Sequence, residues 1–282
     1  MKRIGAAALV GLILVMGCAT HLTREQHRVL SEILEILNTT ISETEAALNR
    51  RADPTSPVND FADILESIRT HIRKVQAGEI PYDPALMERY SDQVAGIRMN
   101  VRNPVDRVVG VDVFFEPGRY RISELSSEGK SVLDDFAADL IETQVEPLRT
   151  AFPDKPLSVV IKAVGHADEI PLSPRFAEAL AQDMRVGIPD DPEARRKLLN
   201  RELSFRRARS IAGYVVTEIK ERVDSSRVTV APPIIFGLGE APPYPESALE
   251  TPYAPRDKRR RICKIHGNVL MTEPSEEPGE NP

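Results

Sequence analysis

Apolar residues recur as Leu30, Leu34, Leu37, Ile41, Thr44 and Leu48, the alternating four- and three-residue spacing of a heptad seam, which only a helix lines up on one face. A second run, Val58, Phe61, Leu65, Ile68, Ile72 and Val75, repeats that spacing after the breaker at residues 52–57, so this segment is predicted to fold back on the first. A turn over residues 78–83 leads to a less regular stripe at Leu86, Tyr90, Val94, Ile97 and Val101. Residues 22–102 thus read as a helical hairpin or three-helix neck. Pairing of heptad helices between chains is the alternative, which would make this segment a site of self-association or of a protein partner; a spacer is the plainer role. After Asn103-Pro104 the pattern changes to β-branched runs at 111–115, 157–165, 227–237 and 260–266, with helical stretches at 127–148 and 200–223. That alternation predicts an α/β or α+β sandwich, with helices on a sheet.

The amino-terminal residues 1–17 read as a targeting signal. Lys2 and Arg3 precede an apolar run from Ile4 to Met16 that ends in Gly17, Cys18 and Ala19. At about 1.5 Å per residue the run is short for a ~30 Å hydrocarbon core, so cleavage is favoured over a membrane span. Val15-Met16-Gly17-Cys18 resembles the lipobox of bacterial lipoproteins. The resemblance implies lipidation of Cys18 with acyl chains such as palmitate, and Cys18 as the first residue of the mature chain. Ala19 in place of Asp resembles the sorting signal for the outer membrane, implying a lipid-anchored protein that faces the periplasm. Cys263 then has no intrachain partner and reads as a small, half-buried strand residue.

Composition narrows the function classes. A chain of 282 residues with 41% hydrophobic content can bury a core, which excludes wholesale disorder and collagen-like structure. A net charge of −6 argues against a dedicated nucleic-acid binder, and the absence of Trp thins the stacking platforms such proteins use. The five histidines show no metal spacing, and no cofactor or metal is expected.

Five ordered motifs carry a second resemblance. Phe115 with Pro117-Gly118 comes first, then Gly165-His166-Ala167-Asp168 at a strand end, then Asn200, Leu203-Ser204 and Arg207-Ala208. Gly237, Gly239-Glu240 and Pro243 follow, and Arg260-Arg261-Ile262 closes the set. Residues 108–267 resemble the OmpA-like C-terminal domain family, which includes peptidoglycan-associated lipoproteins, porins and flagellar stator proteins of the MotB type. The resemblance implies a βαβαββ-type domain that binds peptidoglycan, with Asp168 and Arg207 gripping diaminopimelate and Asn200 and Ser204 beside them. The chemistry agrees, because an ammonium and a carboxylate on one carbon need a carboxylate acceptor and a planar guanidinium side by side. Helical periodicity gives an independent check. At 100° per residue Arg207 falls beside the buried stripe of Leu203, Ala208, Ile211, Val215 and Ile219, whereas Arg206 and Arg209 read as a solvated face. Asn200 reads as a helix N-cap, a ligand contact, or both.

The chain also departs from the family. Pro171 stands where the family has Gly, Ala167 where it has Thr, and residues 169–199 are an insertion beside the expected groove. Ser173-Pro174 and Asp191-Pro192-Glu193 predict helix starts within it, and Leu172, Phe176, Leu180 and Met184 form an i,i+4 stripe. The basic run 256–261 reads as a wall- or phosphate-facing patch or as edge-strand protection. The organisation expected is a signal peptide (1–17), a helical neck (18–104), a peptidoglycan-binding domain (105–271) and a disordered acidic tail (272–282). Two functions follow. One is an outer-membrane lipoprotein that tethers the membrane to peptidoglycan; the other is an assembly component of a trans-envelope complex acting through neck and insertion, with a degenerate groove. An enzyme using His166, Asp168 and Ser204 is not expected, since no nucleophile-elbow glycine pattern is present.

Overall fold

The computed structural model describes residues 22–51, 53–184 and 187–272, so the predicted signal peptide, Cys18 and all but the first residue of the predicted acidic tail (272–282) lie outside the described residues. Among these, no helix is long and apolar enough to cross a membrane.

Three helices come first among the described residues: α1 (Arg24–Arg51), α2 (Val58–Gln76) and α3 (Pro84–Arg102). A capping box starts α1, with the Thr23 Oγ1 accepting from the Gln26 N–H at 3.2 Å and the Gln26 side chain accepting from the Thr23 N–H at 2.8 Å. The Asp83 carboxylate caps α3. The heptad seam is buried within the chain: Leu30, Leu37, Leu65, Ile72 and Ile97 share one cluster.

A mixed sheet follows, formed by β1 (Val105–Gly110), β2 (Leu157–His166), β3 (Val228–Val230), β4 (Ile234–Gly239) and β5 (Ile262–Met271). β5 lies centrally, antiparallel to both β1 and β2, while β3 and β4 run parallel to β2 along its two halves. The basic run at 256–261 therefore leads into an interior strand and protects no edge. The strand predicted at 111–115 is instead a helical turn, α4 (Val111–Phe114), because Val111, Phe114 and Phe115 are buried at i, i+3 and i+4. Ala231-Pro232-Pro233 splits the strand predicted at 227–237 in two.

One face of the sheet is covered by α5 (Ser127–Leu140) and α8 (Pro192–Arg222), with a π-turn at Ile141–Val145 joining α5 to α6 (Glu146–Ala151). Leu133, Phe136 and Leu140 of α5 and Ile211, Val215 and Ile219 of α8 close on Val159, Ile161, Ile265 and Val269. Cys263 is fully buried in this layer rather than half-buried, and burial pushes its thiol up to about 12, which leaves it unreactive.

The opposite face is polar yet buried, and α1–α3 lie against it rather than standing away as a spacer. The Asn100 side chain donates to the Val269 carbonyl at 2.7 Å and accepts from the Val269 N–H at 2.9 Å. Lys264, with no exposed surface, reaches Asp53 at 2.8 Å and the Pro243 carbonyl at 2.6 Å. Asp53 meets Lys264 opposite Val164, near the carboxyl end of β2, whereas Glu43 pairs with Arg98 and Arg102 nearer the other end. At 1.5 Å per residue, α1 begins about 28 Å before Glu43, away from the end of the sheet where β2 finishes.

Candidate functional site

At the carboxyl end of β2 the chain leaves the sheet as Ala167-Asp168, with the Ala167 N–H donating to the Gly239 carbonyl at 2.7 Å. α8 crosses this end in direct backbone contact. A Cβ at Gly165 would collide with the Ser204 carbonyl group, and one at Gly237 would lie 2.5 Å from Phe205 Cβ. This close approach puts Leu203 and Arg207, one helical turn apart, on the wall of a cleft that Asp168 also lines. The cleft has a volume of about 290 Å³.

Asp168 is 5% exposed. Its Oδ1 accepts from the Ile170 N–H at 3.2 Å, and its buried Oδ2 has no hydrogen-bond partner. Arg207 donates from Nε to the Arg119 carbonyl at 3.0 Å, and its guanidinium lies 5.8 Å from the Phe115 ring centre. Burial pushes Arg207 down to about 10, with Asp112 and Asp168 opposing and Arg261 adding to the shift, so it stays protonated at neutral pH.

Arg261 is a member of the site that sequence reasoning placed only in a closing motif. Its Nε, buried and without a hydrogen bond, faces Asp168 Oδ2 at 3.6 Å, and its Nη2 pairs with Asp112 at 3.0 Å. Asp112 was hidden in the segment predicted as a strand; the helical turn of α4 delivers it. Two guanidiniums and one open carboxylate oxygen therefore converge on a single small cavity. Asp168 Oδ2 and Arg261 Nε form an ion pair too long to be a hydrogen bond, so both buried atoms keep hydrogen-bonding capacity beside the cavity, and a ligand offering both an ammonium and a carboxylate would satisfy them together.

The other predicted residues are placed differently. Asn200 is not the N-cap: α8 starts at Pro192 with the Asp191 side chain accepting from the Ala194 N–H at 2.7 Å, so Asn200 lies inside the helix. It borders the cleft and braces it, donating to the Asp168 carbonyl at 3.0 Å and to Glu240 at 2.7 Å. Ser204 is turned away from the cleft lining. Its hydroxyl donates to the Arg201 carbonyl at 2.8 Å and accepts from the Gly239 N–H at 3.0 Å, clamping α8 to β4. Arg206 is not a solvated residue, because the insertion reaches over it: Asp183 and Glu202 pair with it at 3.2 and 2.7 Å. Nor do the arginines of the 256–261 run form one outward patch. Arg259 is held by Asp257, and Arg260 is buried between Glu169 and the Glu240 carbonyl.

No family model and no curated protein matches the chain. Among solved structures it is similar to the periplasmic domain of Helicobacter pylori MotB, at 13% identity over 58% of this chain and 74% of that one, with a TM-score of 0.29. A second structure of a periplasmic domain of MotB is similar at 12% identity, 61% of this chain and 65% of that one, with a TM-score of 0.26. Likeness of this degree carries no weight for the site, which rests on the side chains themselves.

The insertion forms a wall of the cleft and does not fill it. α7 (Pro174–Met184) starts where Ser173-Pro174 predicted, and Leu180 buries its stripe against Leu199 and Leu203. Ile170, Leu172 and Phe176 make the apolar side of the cavity. The loop with Pro171 satisfies its backbone elsewhere, the Glu169 N–H donating to the Pro255 carbonyl at 2.9 Å. Among the described residues no group of three or more His, Cys, Asp or Glu side chains is arranged to hold a metal ion.

His166 is structural in its contacts. It is 2% exposed, its Nδ1 donates to the Ala241 carbonyl at 3.0 Å, and it makes no pair with Ser204. Burial pushes its imidazolium down to about 4 against the pull of the Ala241 carbonyl. Unfolded imidazole titrates near 6.5, so as pH falls from about 6.5 to 4 the unfolded chain binds a proton that the folded one refuses, and stability falls. The expected loss by pH 4.5 is about 2–3 kcal/mol. Urea unfolding at pH 7 and 4.5 checks this: His166→Asn should lose less stability than wild type over that interval, and an identical loss would refute it.

Proposed function

We propose that this chain is a non-enzymatic envelope tether whose cleft binds the diaminopimelate headgroup of peptidoglycan. The observation that carries this is the buried Asp168 Oδ2, which accepts no hydrogen bond and is ion-paired at 3.6 Å with Arg261, in a cavity that Arg207 also lines. The ligand ammonium donates to Asp168 Oδ2, and its carboxylate accepts from the two guanidiniums. A cavity of about 290 Å³ suits one amino-acid headgroup rather than a saccharide. Lipid on Cys18 holds the other end in the outer membrane. The geometry supports that division, since α1 begins at the pole away from the cleft. Modest affinity at each headgroup suffices, because the wall presents many copies.

The test is co-sedimentation with purified sacculi of the protein from Ala19 onward, which keeps α1–α3 on the sheet. Wild type should pellet, and Asp168→Ala and Arg207→Ala should stay in the supernatant. Retention of both variants at the wild-type level would remove the site assignment. Failure of wild type to pellet would favour the assembly role.

A further inference from the structure

A second hollow of about 560 Å³ lies on the other side of the loop at residues 117–122. The loop, α7 and α8 each contribute to both spaces. Gly118, Phe176 and Arg207 face the cleft, while Arg121, Asp183 and Arg206 face the hollow. The two walls touch where the ring of Tyr120, lining the hollow, tilts on the ring of Phe176, lining the cleft, at 6.0 Å between centres.

The hollow is built around that ring. Arg121 and Arg206 flank Tyr120 at 5.9 and 5.4 Å from its centre, the phenol donates to Asp183 at 2.9 Å, and the Ser210 hydroxyl donates to the Tyr120 carbonyl at 2.6 Å. Both acidic groups of the lining, Asp183 and Glu202, are already committed to Arg206. Arg121 and Arg209 have no carboxylate partner among the described residues. The hollow thus offers two guanidiniums without carboxylate partners on a lining that also includes Phe205 and Ile122, the latter 45% exposed. That combination fits a carboxylate carried on an aliphatic or sugar body.

We propose that the insertion turns a one-headgroup cleft into a two-site groove, in which Arg121 and Arg209 take a second carboxylate of the same stem peptide or its neighbour. This rests on the peptidoglycan reading of the cleft. A stem peptide carries carboxylates besides those of diaminopimelate, and a hollow larger than the cleft, whose Tyr120 touches the Phe176 of the cleft wall, is placed to receive one.

Free diaminopimelate occupies only the cleft, whereas a soluble disaccharide–tetrapeptide fragment reaches both sites, so titrating each ligand separates the claims. The protein from Ala19 onward is compared with the Arg121→Ala/Arg209→Ala double variant and with Arg207→Ala. The double variant should bind the fragment about tenfold more weakly, the loss expected of one charge-assisted contact, and free diaminopimelate as wild type does. Arg207→Ala should lose both ligands. Wild-type fragment affinity in the double variant would overturn the second site and leave the cleft standing. Equal weakening of both ligands would also overturn it, showing a general charge effect. Failure of wild type to bind either ligand would remove both readings.

Discussion

Replacing Gly165 with Ala is expected to destabilise the protein by roughly 3 kcal/mol or more, at the upper end of what overpacking costs. The added methyl would meet the Ser204 carbonyl oxygen inside contact distance and the Ser204 carbonyl carbon at 2.9 Å. Both atoms belong to the backbone of α8, so no rotamer change relieves the clash; the helix must lift from β2. Ala208, fully buried, and the Ser204 clamp on Gly239 would lift with it. For a chain of this size about 2–4 °C accompanies each kcal/mol, so the midpoint of thermal unfolding should fall by about 10 °C. Arg207 on α8 would also shift relative to Asp168 across the cleft they both line, and sacculus binding should weaken even where the variant is folded. Gly110→Ala is the control, because a Cβ there meets nothing within 4 Å. Equal midpoints for the two variants would show that α8 does not sit on β2 as described.

Lys264→Ala should be as damaging for a different reason. The ammonium is wholly buried, bonded to Asp53 and to the Pro243 carbonyl, and lies 4.1 Å from the Tyr244 ring centre. Burial draws Lys264 below its ordinary value. For Asp53 burial works the other way, but hydrogen bonds from Lys264 and Thr55 outweigh it and hold the carboxyl below its ordinary value. Removing one partner strands the other charge, at a cost of about 3–5 kcal/mol. Replacing both partners with apolar residues, as in Asp53→Leu with Lys264→Met, should recover much of that loss, because no unpaired charge remains. A double-mutant cycle by urea unfolding measures the coupling. Additive single effects would mean that the helices are not fastened to the sheet through this pair.

The parts of the fold legible in the sequence were those where one physical constraint dominated. Heptad spacing marked α1 and α2, and the pairs Ser173-Pro174 and Asp191-Pro192 marked the starts of α7 and α8. Arg207 was recognisable because its angle from the buried stripe of α8 distinguishes it from Arg209. Other features depend on long-range contacts that residue type conceals. Lys264 and Asn100 are residue types expected at a surface, yet their partners, 211 and 169 residues away, bury them between helices and sheet. Val111 belongs to a β-branched run, but packing at i, i+3 and i+4 wins over strand propensity. Arg206 lies on the outer face of α8, but Asp183 of the insertion and the ring of Tyr120 fold over it. Asn200 resembled a cap because the residues before it read as an insertion, when in fact they are the first turns of the same helix.

The most direct test of the cleft is a titration of free diaminopimelate into the protein from Ala19 onward, followed by backbone amide shifts of Ala167, Asp168 and Leu203. Saturable shifts in wild type that vanish in both Asp168→Ala and Arg207→Ala, with the rest of the spectrum unchanged, are the predicted result. Shifts that persist in either variant, or a wild-type cleft that does not respond to diaminopimelate, would contradict it.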